Sequence, residues 1–221
     1  MITFDVDLAS SEPDVEAVSV PGRDGDVIVD NHRNKSVNQT FGLYCNVPHP
    51  KGTELMRQAI EWLRQDVQFH DFTLSTEPDY IRRGAVLTAV QTTVKEDGVY
   101  GSLTFNFKPK RYLKTGMTAQ KLASGVVFDN TGSLNAEPKI TITGTGDFTL
   151  SINGTPYGVK GMDTGTTIDS ENQSVISANG TSNEFNKFQG GSFPILKPGK
   201  NTITWDDGFA VEIIPRIAVK L

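Results

Sequence analysis

The first part of the chain reads as two strands joined by a turn. Val18 and Val20 precede the segment 21–26, and Val27 and Val29 follow it. The segment reads Pro-Gly-Arg-Asp-Gly-Asp, and proline, glycine and aspartate are the residues that favour a tight reversal of the chain. The pattern therefore predicts a β-hairpin.

A second strand near Phe41–Val47 is followed by the only helical pattern in the first half. The segment 48–52 contains two prolines and a glycine and is expected to lie outside the helix. From Thr53 onward apolar residues recur at i, i+4, i+7 and i+8. They are Leu55, Ala59, Trp62 and Leu63. The sequence predicts an amphipathic helix that Thr53 caps and that turns Trp62 toward the core.

Beyond the helix the apolar period changes to two. A strand that includes Leu87 and Thr93 is expected to pair with the strand that follows Gly98. One face of that second strand is formed by Val99, Gly101, Leu103, Phe105 and Phe107. Pro109 is expected to end the strand. The segment 116–124 has little periodicity of either kind, which favours a linker between two domains.

The rest of the chain has the pattern of an all-β domain. Short alternating runs contribute the apolar residues Ile140, Ile142, Phe148, Leu150, Ile152, Ile203, Val211 and Ile213. Asn153-Gly154 and Asp207-Gly208 are turn pairs between such runs. Several short strands with turns between them predict a β-sandwich. Trp205 shares a strand face with Ile203 and is expected in the core, while Thr202 faces outward.

Composition and charge narrow the class of protein. The 221 residues contain 21 glycines and 11 prolines, which is typical of a folded, turn-rich chain. The formal net charge of -5 argues against a nucleic-acid binder, which needs a basic face. No run approaches the ~18 apolar residues of a membrane span, and the start Met1-Ile2-Thr3-Phe4-Asp5-Val6-Asp7 has no signal-peptide pattern. We therefore expect synthesis in a cytoplasm and no membrane.

No residue pattern in the sequence indicates catalysis. The three histidines lack the spacing of a zinc site, and there is no nucleophile elbow or phosphate-binding loop. Asp24 and Asp26 lie beside glycine, where turn geometry explains an aspartate. The expectation is a protein that is not an enzyme and uses no metal or cofactor. Tyr157, after the Asn153-Gly154 turn, is the candidate contact for a ligand, with packing as the alternative.

Several motifs occur in the order and spacing of one known family. They are the loop Pro21, Gly22, Arg23, Asp24 and Gly25; the pair Trp62-Leu63; Asp79-Tyr80-Ile81-Arg82; Phe105-Asn106-Phe107-Lys108-Pro109; Asn130-Thr131-Gly132; Glu137-Pro138; and Phe193-Pro194 with the following Lys197-Pro198-Gly199-Lys200-Asn201. In this arrangement the chain resembles the distal tail proteins of siphophages. No single motif is specific, but together they span nearly the whole chain.

The resemblance implies a mainly β fold with two domains. Residues 1–115 would form a ring-forming N-terminal β-sandwich with one α-helix and a β-hairpin extension. Residues 116–124 would be the linker, and residues 125–221 a galectin-like C-terminal β-sandwich. The loop 21–25 is the family motif loop in this picture.

The resemblance also implies a structural function in the virion. Six copies would form a ring, the baseplate hub at the tail tip, which joins the tail tube protein to the tail-associated hub protein and, in many phages, to receptor-binding proteins during host attachment. DNA would pass through the lumen of the ring without specific binding. The protein would be made in the cytoplasm of the host bacterium. The alternatives are a carbohydrate-binding module or accessory adhesin acting through the C-terminal domain and, more remotely, a glycosidase with acidic loop residues.

Overall fold

The computed structural model describes residues 8–221, so the expectation about the segment Met1–Asp7 lies outside the described residues. The chain divides into two compact units. The first unit comprises Met1–Arg111 and Lys220–Leu221, and the second comprises Tyr112–Val219. The fold is mainly β, as the sequence predicted.

The first unit is built on two sheets and one helix. Its elements are β1 (Pro13–Ser19), β2 (Asp26–Asn34), β3 (Val37–Cys45), α1 (Lys51–Leu63), β4 (His70–Phe72), β5 (Tyr80–Ala85), β6 (Gln91–Lys95) and β7 (Gly98–Leu113), the last of which ends in the second unit. β1 and β2 form a two-stranded antiparallel sheet by themselves. β7 pairs with β3, β5 and β6, and β5 pairs with β4.

Helix α1 is present, but its start and its buried face differ from the prediction. It begins at Lys51 after Pro50, and Thr53 lies inside its first turn and does not cap it. Gly52 lies in the first turn of the helix, where a larger residue would not fit, because a Cβ there would lie 1.8 Å from the Val47 carbonyl oxygen. The buried residues are Gly52 and Met56, with Ile60 and Leu63 packed beside the core.

The buried stripe of α1 is therefore displaced by one residue from the predicted stripe. One residue corresponds to about 100° of rotation on a helix. Two residues of the predicted stripe, Leu55 and Trp62, are exposed as a result. The expectation that Trp62 is a core residue was wrong.

Strand β7 continues past the proline that was expected to end it. It pairs with β6 across the predicted turn, with Val94 opposite Val99, which confirms that hairpin. Pro109 lies inside the strand, and its carbonyl oxygen accepts a hydrogen bond from the Leu221 N–H at 3.1 Å. Proline has no N–H of its own to donate to a sheet. The first unit's core lies on this strand and contains Phe41, Met56, Leu103, Phe105 and Phe107.

The second unit is a sandwich of two five-stranded sheets. Its strands are β8 (Gln120–Lys121), β9 (Val126–Asn130), β10 (Lys139–Thr143), β11 (Gly146–Ile152), β12 (Thr155–Met162), β13 (Gly165–Asp169), β14 (Ser174–Ser177), β15 (Phe188–Gln189), β16 (Gly199–Trp205) and β17 (Ala210–Ile214). The last strand of the chain, β18 (Ala218–Lys220), belongs to neither of these two sheets. The sheet orders are β14-β13-β10-β17-β8 and β15-β12-β11-β16-β9. Ile140 and Ile142 of one sheet share a core with Phe148, Leu150 and Ile203 of the other.

The two turn pairs of this unit have different roles. Asn153 and Gly154 both have positive φ, 51° and 82°, and connect the paired strands β11 and β12 as the sequence predicted. The Asp207-Gly208 turn instead carries the chain from β16 in one sheet to β17 in the other. Trp205 packs against the core, and its Nε1 donates a hydrogen bond to the Phe209 carbonyl oxygen at 3.1 Å.

The segment 116–124, expected to be a linker, contains regular structure in the second unit. A 3₁₀ helix covers Lys114–Met117, and β8 pairs with β17. The carbonyl oxygen of the buried Gly116 accepts the Arg216 N–H at 2.7 Å. The division between the two units falls at Arg111 and Tyr112, several residues before that segment.

Candidate interaction surfaces

The β1–β2 hairpin exposes apolar side chains along its length. Among the described residues, β1 and β2 pair with each other and with no other strand, and most of their side chains are exposed. The exposed apolar residues are Val15, Val18, Val20, Ile28 and Val29. A two-stranded hairpin is at best marginally stable alone in water. By the strand register, Val15 and Ile28 lie on one face of the hairpin and Val18 and Val29 on the other, so both faces carry exposed apolar side chains.

The family motif loop forms the tip of this hairpin. Residues 21–25 are all exposed, and the Arg23 N–H donates to the Val20 carbonyl oxygen at 3.2 Å. Gly22 and Gly25 have φ values of 82° and 78°, which other residues rarely adopt. A Cβ at either glycine would meet no neighbour within 4 Å. The glycines are explained by the turn itself and not by a close approach of another group.

Trp62 forms a second exposed apolar surface in the first unit. Trp62 is 68% exposed, which is high for a tryptophan. It borders a cavity of about 230 Å³ that Phe72, Val86 and Phe105 also line. Beside it, the Asp66 carboxylate lies 2.8 Å from His70 Nε2, and this hydrogen bond lowers the pKa of Asp66. A tryptophan above an apolar cavity is typical of the centre of a protein–protein contact.

An ion cluster links strands β5 and β7 of the first unit. The Glu77 carboxylate accepts hydrogen bonds from Arg82 Nη2, at 2.5 Å, and from Arg111. Burial by itself raises the pKa of Glu77, but the two guanidinium groups more than offset this and lower it. The guanidinium of Arg111 also lies 4.3 Å from the centre of the Tyr80 ring. Glu77 is therefore ionised at neutral pH and holds two strands together.

Tyr157 is not the exposed aromatic that the sequence indicated. Tyr157 is 4% exposed and belongs to the core of the second unit. The reason is strand parity: Tyr157 lies on β12 with Val159, opposite Leu150 of β11, on the inward face. Burial raises the pKa of its hydroxyl, and a hydrogen bond with Ser192 acts in the opposite direction. The expectation of an exposed contact at Tyr157 was wrong.

An open groove, which we call the Phe groove, lies beside Ser192. Its volume is about 400 Å³, and its apolar wall consists of Phe185, Phe188 and Phe193. The rings of Phe188 and Phe193 are stacked, with centroids 5.3 Å apart and 19° between their planes. The polar lining residues are Glu137, Ser170, Gln173 and Ser192. Gly190 allows the loop to close on the Phe188 ring, because a Cβ there would lie 2.5 Å from it.

Ser170 is held in the groove by a second ion cluster. Its two neighbours in the chain, Asp169 and Glu171, both contact Arg216. The Asp169 carboxylate accepts hydrogen bonds from Arg216 Nη1 at 2.5 Å and from Nη2 at 2.9 Å. Glu171 Oε2 lies 3.4 Å from Arg216 Nε. Burial raises the pKa of Asp169, but hydrogen bonds from Arg216 and Asn172 outweigh burial and lower it. Ser170 Oγ is buried, and none of residues 8–221 forms a hydrogen bond with it.

Exposed apolar side chains are distributed unevenly between the two units. Among the described residues, twelve of the fourteen large apolar side chains that are exposed belong to the first unit, and two, Val127 and Phe185, belong to the second. Single exposed apolar residues are normal on any protein, so the candidates for an interaction surface are the places where several occur together, such as the hairpin. The first unit is therefore the candidate for assembly.

Within residues 8–221, no group of three or more histidine, cysteine, aspartate or glutamate side chains is arranged to hold a metal ion. In the same range, no helix has the length and apolar content needed to cross a membrane. His49 and His70 lie apart and each contacts a neighbour four residues away along the chain, Thr53 and Asp66.

The fold as a whole matches solved components of phage tails. The crystal structure of the Dit protein of phage SPP1, described as a paradigm of the hub adsorption apparatus of phages that infect Gram-positive bacteria, aligns with a TM-score of 0.68 at 16% identity. The alignment covers 100% of this chain and 93% of that one. No family model and no curated protein sequence matches the chain.

Two structures of the phage P2 baseplate in its activated conformation are similar as well. The calcium-bound form aligns with a TM-score of 0.54 at 12% identity, over 99% of this chain and 90% of that one. The strontium-bound form aligns with a TM-score of 0.54 at 11% identity, over 96% of this chain and 89% of that one. The chain thus shares a two-unit, mainly β fold with these solved proteins. Within that class of fold, the chain has the Dit-like fold that its sequence motifs resemble.

The sequence motifs did not indicate the Phe groove. Phe185, Phe188 and Phe193 are interrupted by two adjacent glycines, so no regular element was predicted there, and Ser170 follows the end of β13. The pair Gly190-Gly191 between the phenylalanines was the available signal, because adjacent glycines favour a loop that approaches other groups closely.

Proposed function

We propose that this protein is the baseplate hub of a siphophage tail tip, a hexameric ring that joins the tail tube protein to the tail-associated hub protein. The observation that carries the proposal is the likeness to the SPP1 Dit hub over the whole chain, both units included. A protein of this kind binds other proteins and catalyses no reaction. Its location is the tip of the virion tail.

The ring contacts are proposed to come from the first unit. The hairpin valines and Trp62 are different surfaces, so a contact between the hairpin of one copy and Trp62 of the next would be head-to-tail. Head-to-tail contacts repeat until the rotation closes a ring. Trp62 would be the central residue of each contact, since tryptophan is enriched where interface energy is concentrated.

The second unit, read as the galectin-like domain, is proposed to lie at the ring periphery and to dock receptor-binding proteins. Its sandwich core is closed, and few of its apolar side chains are exposed. The net charge of -5 suits a ring whose lumen passes DNA without holding it, because like charges repel. The first unit and the second unit would thus separate assembly from attachment.

Native mass spectrometry of the full chain, combined with negative-stain electron microscopy, tests the ring. Six chains of 24.1 kDa weigh about 145 kDa. The expected result is that mass and a ring with sixfold symmetry, with or without stacking of two rings. A chain that stays monomeric both alone and with a tail tube protein and a tail-associated protein would contradict the proposal.

A further inference from the structure

Tyr44 and Tyr100 form a pair of aromatic side chains on two neighbouring strands of the first unit. They lie directly opposite each other in the antiparallel pairing of β3 with β7. Their ring centroids are 4.8 Å apart, with 36° between the ring planes. Both residues are half-buried, so a small molecule in solution can reach their rings. Two phenol rings are thus held in contact at the surface of the unit.

The turn between β6 and β7 holds both hydroxyl groups of this pair. Tyr100 Oη donates a hydrogen bond to Asp97 Oδ2 at 2.5 Å, and Tyr44 Oη donates one to the Asp97 carbonyl oxygen at 2.9 Å. Lys95 Nζ lies 4.5 Å from the centre of the Tyr100 ring. The two hydrogen bonds and the cation above one ring fix how the rings face each other.

Asp97 is also a base placed at the Tyr100 hydroxyl. The hydrogen bond to Asp97 raises the pKa of Tyr100 to about 12, so this phenol is protonated at neutral pH. A phenol that loses one electron becomes a strong acid, and its proton must pass to a nearby acceptor. The Asp97 carboxylate lies within hydrogen-bond reach of that proton, which is the geometry that a general base requires.

We propose that Tyr44 and Tyr100 are a site of oxidative modification, at which a one-electron oxidant converts the pair to dityrosine and joins β3 to β7 covalently. Each ring gives one electron to one equivalent of the oxidant. The phenolic proton of Tyr100 passes to Asp97, and that of Tyr44 passes to water. The two radicals form one C–C bond between ring carbons next to the hydroxyls, and the hydrogens on those carbons move to the oxygens and restore both phenols. The product has lost two hydrogens.

The remaining tyrosines provide a comparison within the same chain. Tyr112 and Tyr157 are 1% and 4% exposed, so an oxidant in solution reaches their rings much less readily. The guanidinium of Arg111 covers one face of the Tyr80 ring, 4.3 Å from its centre. Dityrosine should therefore form first between the two rings that are already in contact. Both rings belong to one copy of the chain, so the reaction does not depend on assembly of a ring.

The test is oxidation of the full chain by tris(bipyridine)ruthenium(III) generated with a light pulse, followed by dityrosine fluorescence and mass spectrometry of tryptic peptides. Tyr100→Phe removes one phenol. Asp97→Asn replaces the proton acceptor by an amide and keeps the carbonyl oxygen that binds Tyr44. The matched control is Glu96→Gln, which removes the neighbouring exposed carboxylate of the same turn.

The expected product is a cross-linked pair of peptides that contain Tyr44 and Tyr100, lighter by two hydrogens than their sum, with a yield that does not depend on protein concentration. Tyr100→Phe should abolish this product, Asp97→Asn should lower its yield at least about tenfold, and Glu96→Gln should leave it unchanged. The proposal is overturned if the main dityrosine joins other tyrosines or two different chains, or if none forms. An unchanged yield in Asp97→Asn would contradict the role of Asp97 as proton acceptor.

Discussion

The first unit and the second unit differ in what covers their apolar side chains. The second unit closes two five-stranded sheets over a common core and leaves Val127 and Phe185 as its exposed large apolar residues among those described. The first unit surrounds the long strand β7 with a helix and short strands and leaves twelve such residues exposed. The difference indicates that the second unit buries most of its large apolar side chains within itself, whereas the first leaves more of them exposed, where the proposed ring contacts would form.

The helix α1 illustrates this difference at single-residue level. Its buried stripe holds Met56 against the core, and the adjacent stripe holds Leu55 and Trp62 outward. A helix with two apolar stripes can satisfy two contacts, one within the subunit and one outside it. Its period alone does not distinguish them. In β10 and β11 of the second unit, by contrast, the apolar residues lie on one face, and that face is inside.

Acid should produce the largest change, and it should affect both units alike. The pKa values of Glu77 and Asp169 are lowered in the folded chain, so the unfolded chain takes up protons first as the pH falls. Their contribution to stability is therefore complete above the ordinary carboxylate pKa of about 4 and is lost as the pH falls through the folded-state values. Urea denaturation between pH 7 and pH 3, followed by circular dichroism, measures this. A chain that is most stable in acid would contradict the ion clusters.

Neutralising a single member of either cluster should destabilise one unit. Glu77→Gln leaves Arg82, which is buried, without its carboxylate partner, and Asp169→Asn removes the bidentate partner of Arg216. Glu77→Gln should cost about 3 kcal/mol, because the buried charge of Arg82 loses its carboxylate partner. Asp169→Asn should cost less, because Glu171 still lies 3.4 Å from Arg216 Nε. Hydrogen exchange resolved by residue assigns the loss to a unit. Equal loss of protection in both units from one variant would mean that they unfold together and would weaken the comparison.

The two tryptophans should respond to alanine in opposite ways. Trp205 packs on the second core, so Trp205→Ala should lower the free energy of unfolding by about 3 kcal/mol. Trp62→Ala should change it by less than about 0.5 kcal/mol but weaken each intersubunit contact by about 2 kcal/mol. Chemical denaturation and sedimentation velocity separate these effects. If Trp62→Ala destabilised the fold and left assembly intact, its exposed surface would have no role between subunits.

The smallest effect is expected in the motif loop. Gly22→Ala strains a positive φ without meeting any neighbour, so it should cost about 1 kcal/mol and act only on the hairpin. Amide exchange of β1 and β2 measures this local opening. Gly191→Ala is a matched control, since a Cβ there also meets nothing within 4 Å and Gly191 has no positive φ. A loss of global stability from Gly22→Ala would show that the loop packs more closely than its geometry indicates.

Local features of the fold were predictable from the sequence, and non-local ones were not. Asn153-Gly154 specified its hairpin because only a few residues tolerate positive φ at both positions. The assignment of β16 and β17 to different sheets depends on pairings with distant strands, which the turn between them does not determine. Tyr157 was misplaced because the parity of β12 is set by its partner β11.

The central claim is that assembly uses the surface of the first unit. Hydroxyl-radical footprinting of the full chain tests it most directly, because side-chain oxidation reports solvent access residue by residue. Samples at assembling and at dissociating concentrations are compared. The account predicts that Trp62, Ile28 and Val29 are protected in the assembly, whereas Val127 and Phe185 are oxidised equally in both samples. Protection of Val127 or Phe185 with Trp62 still fully reactive would contradict it.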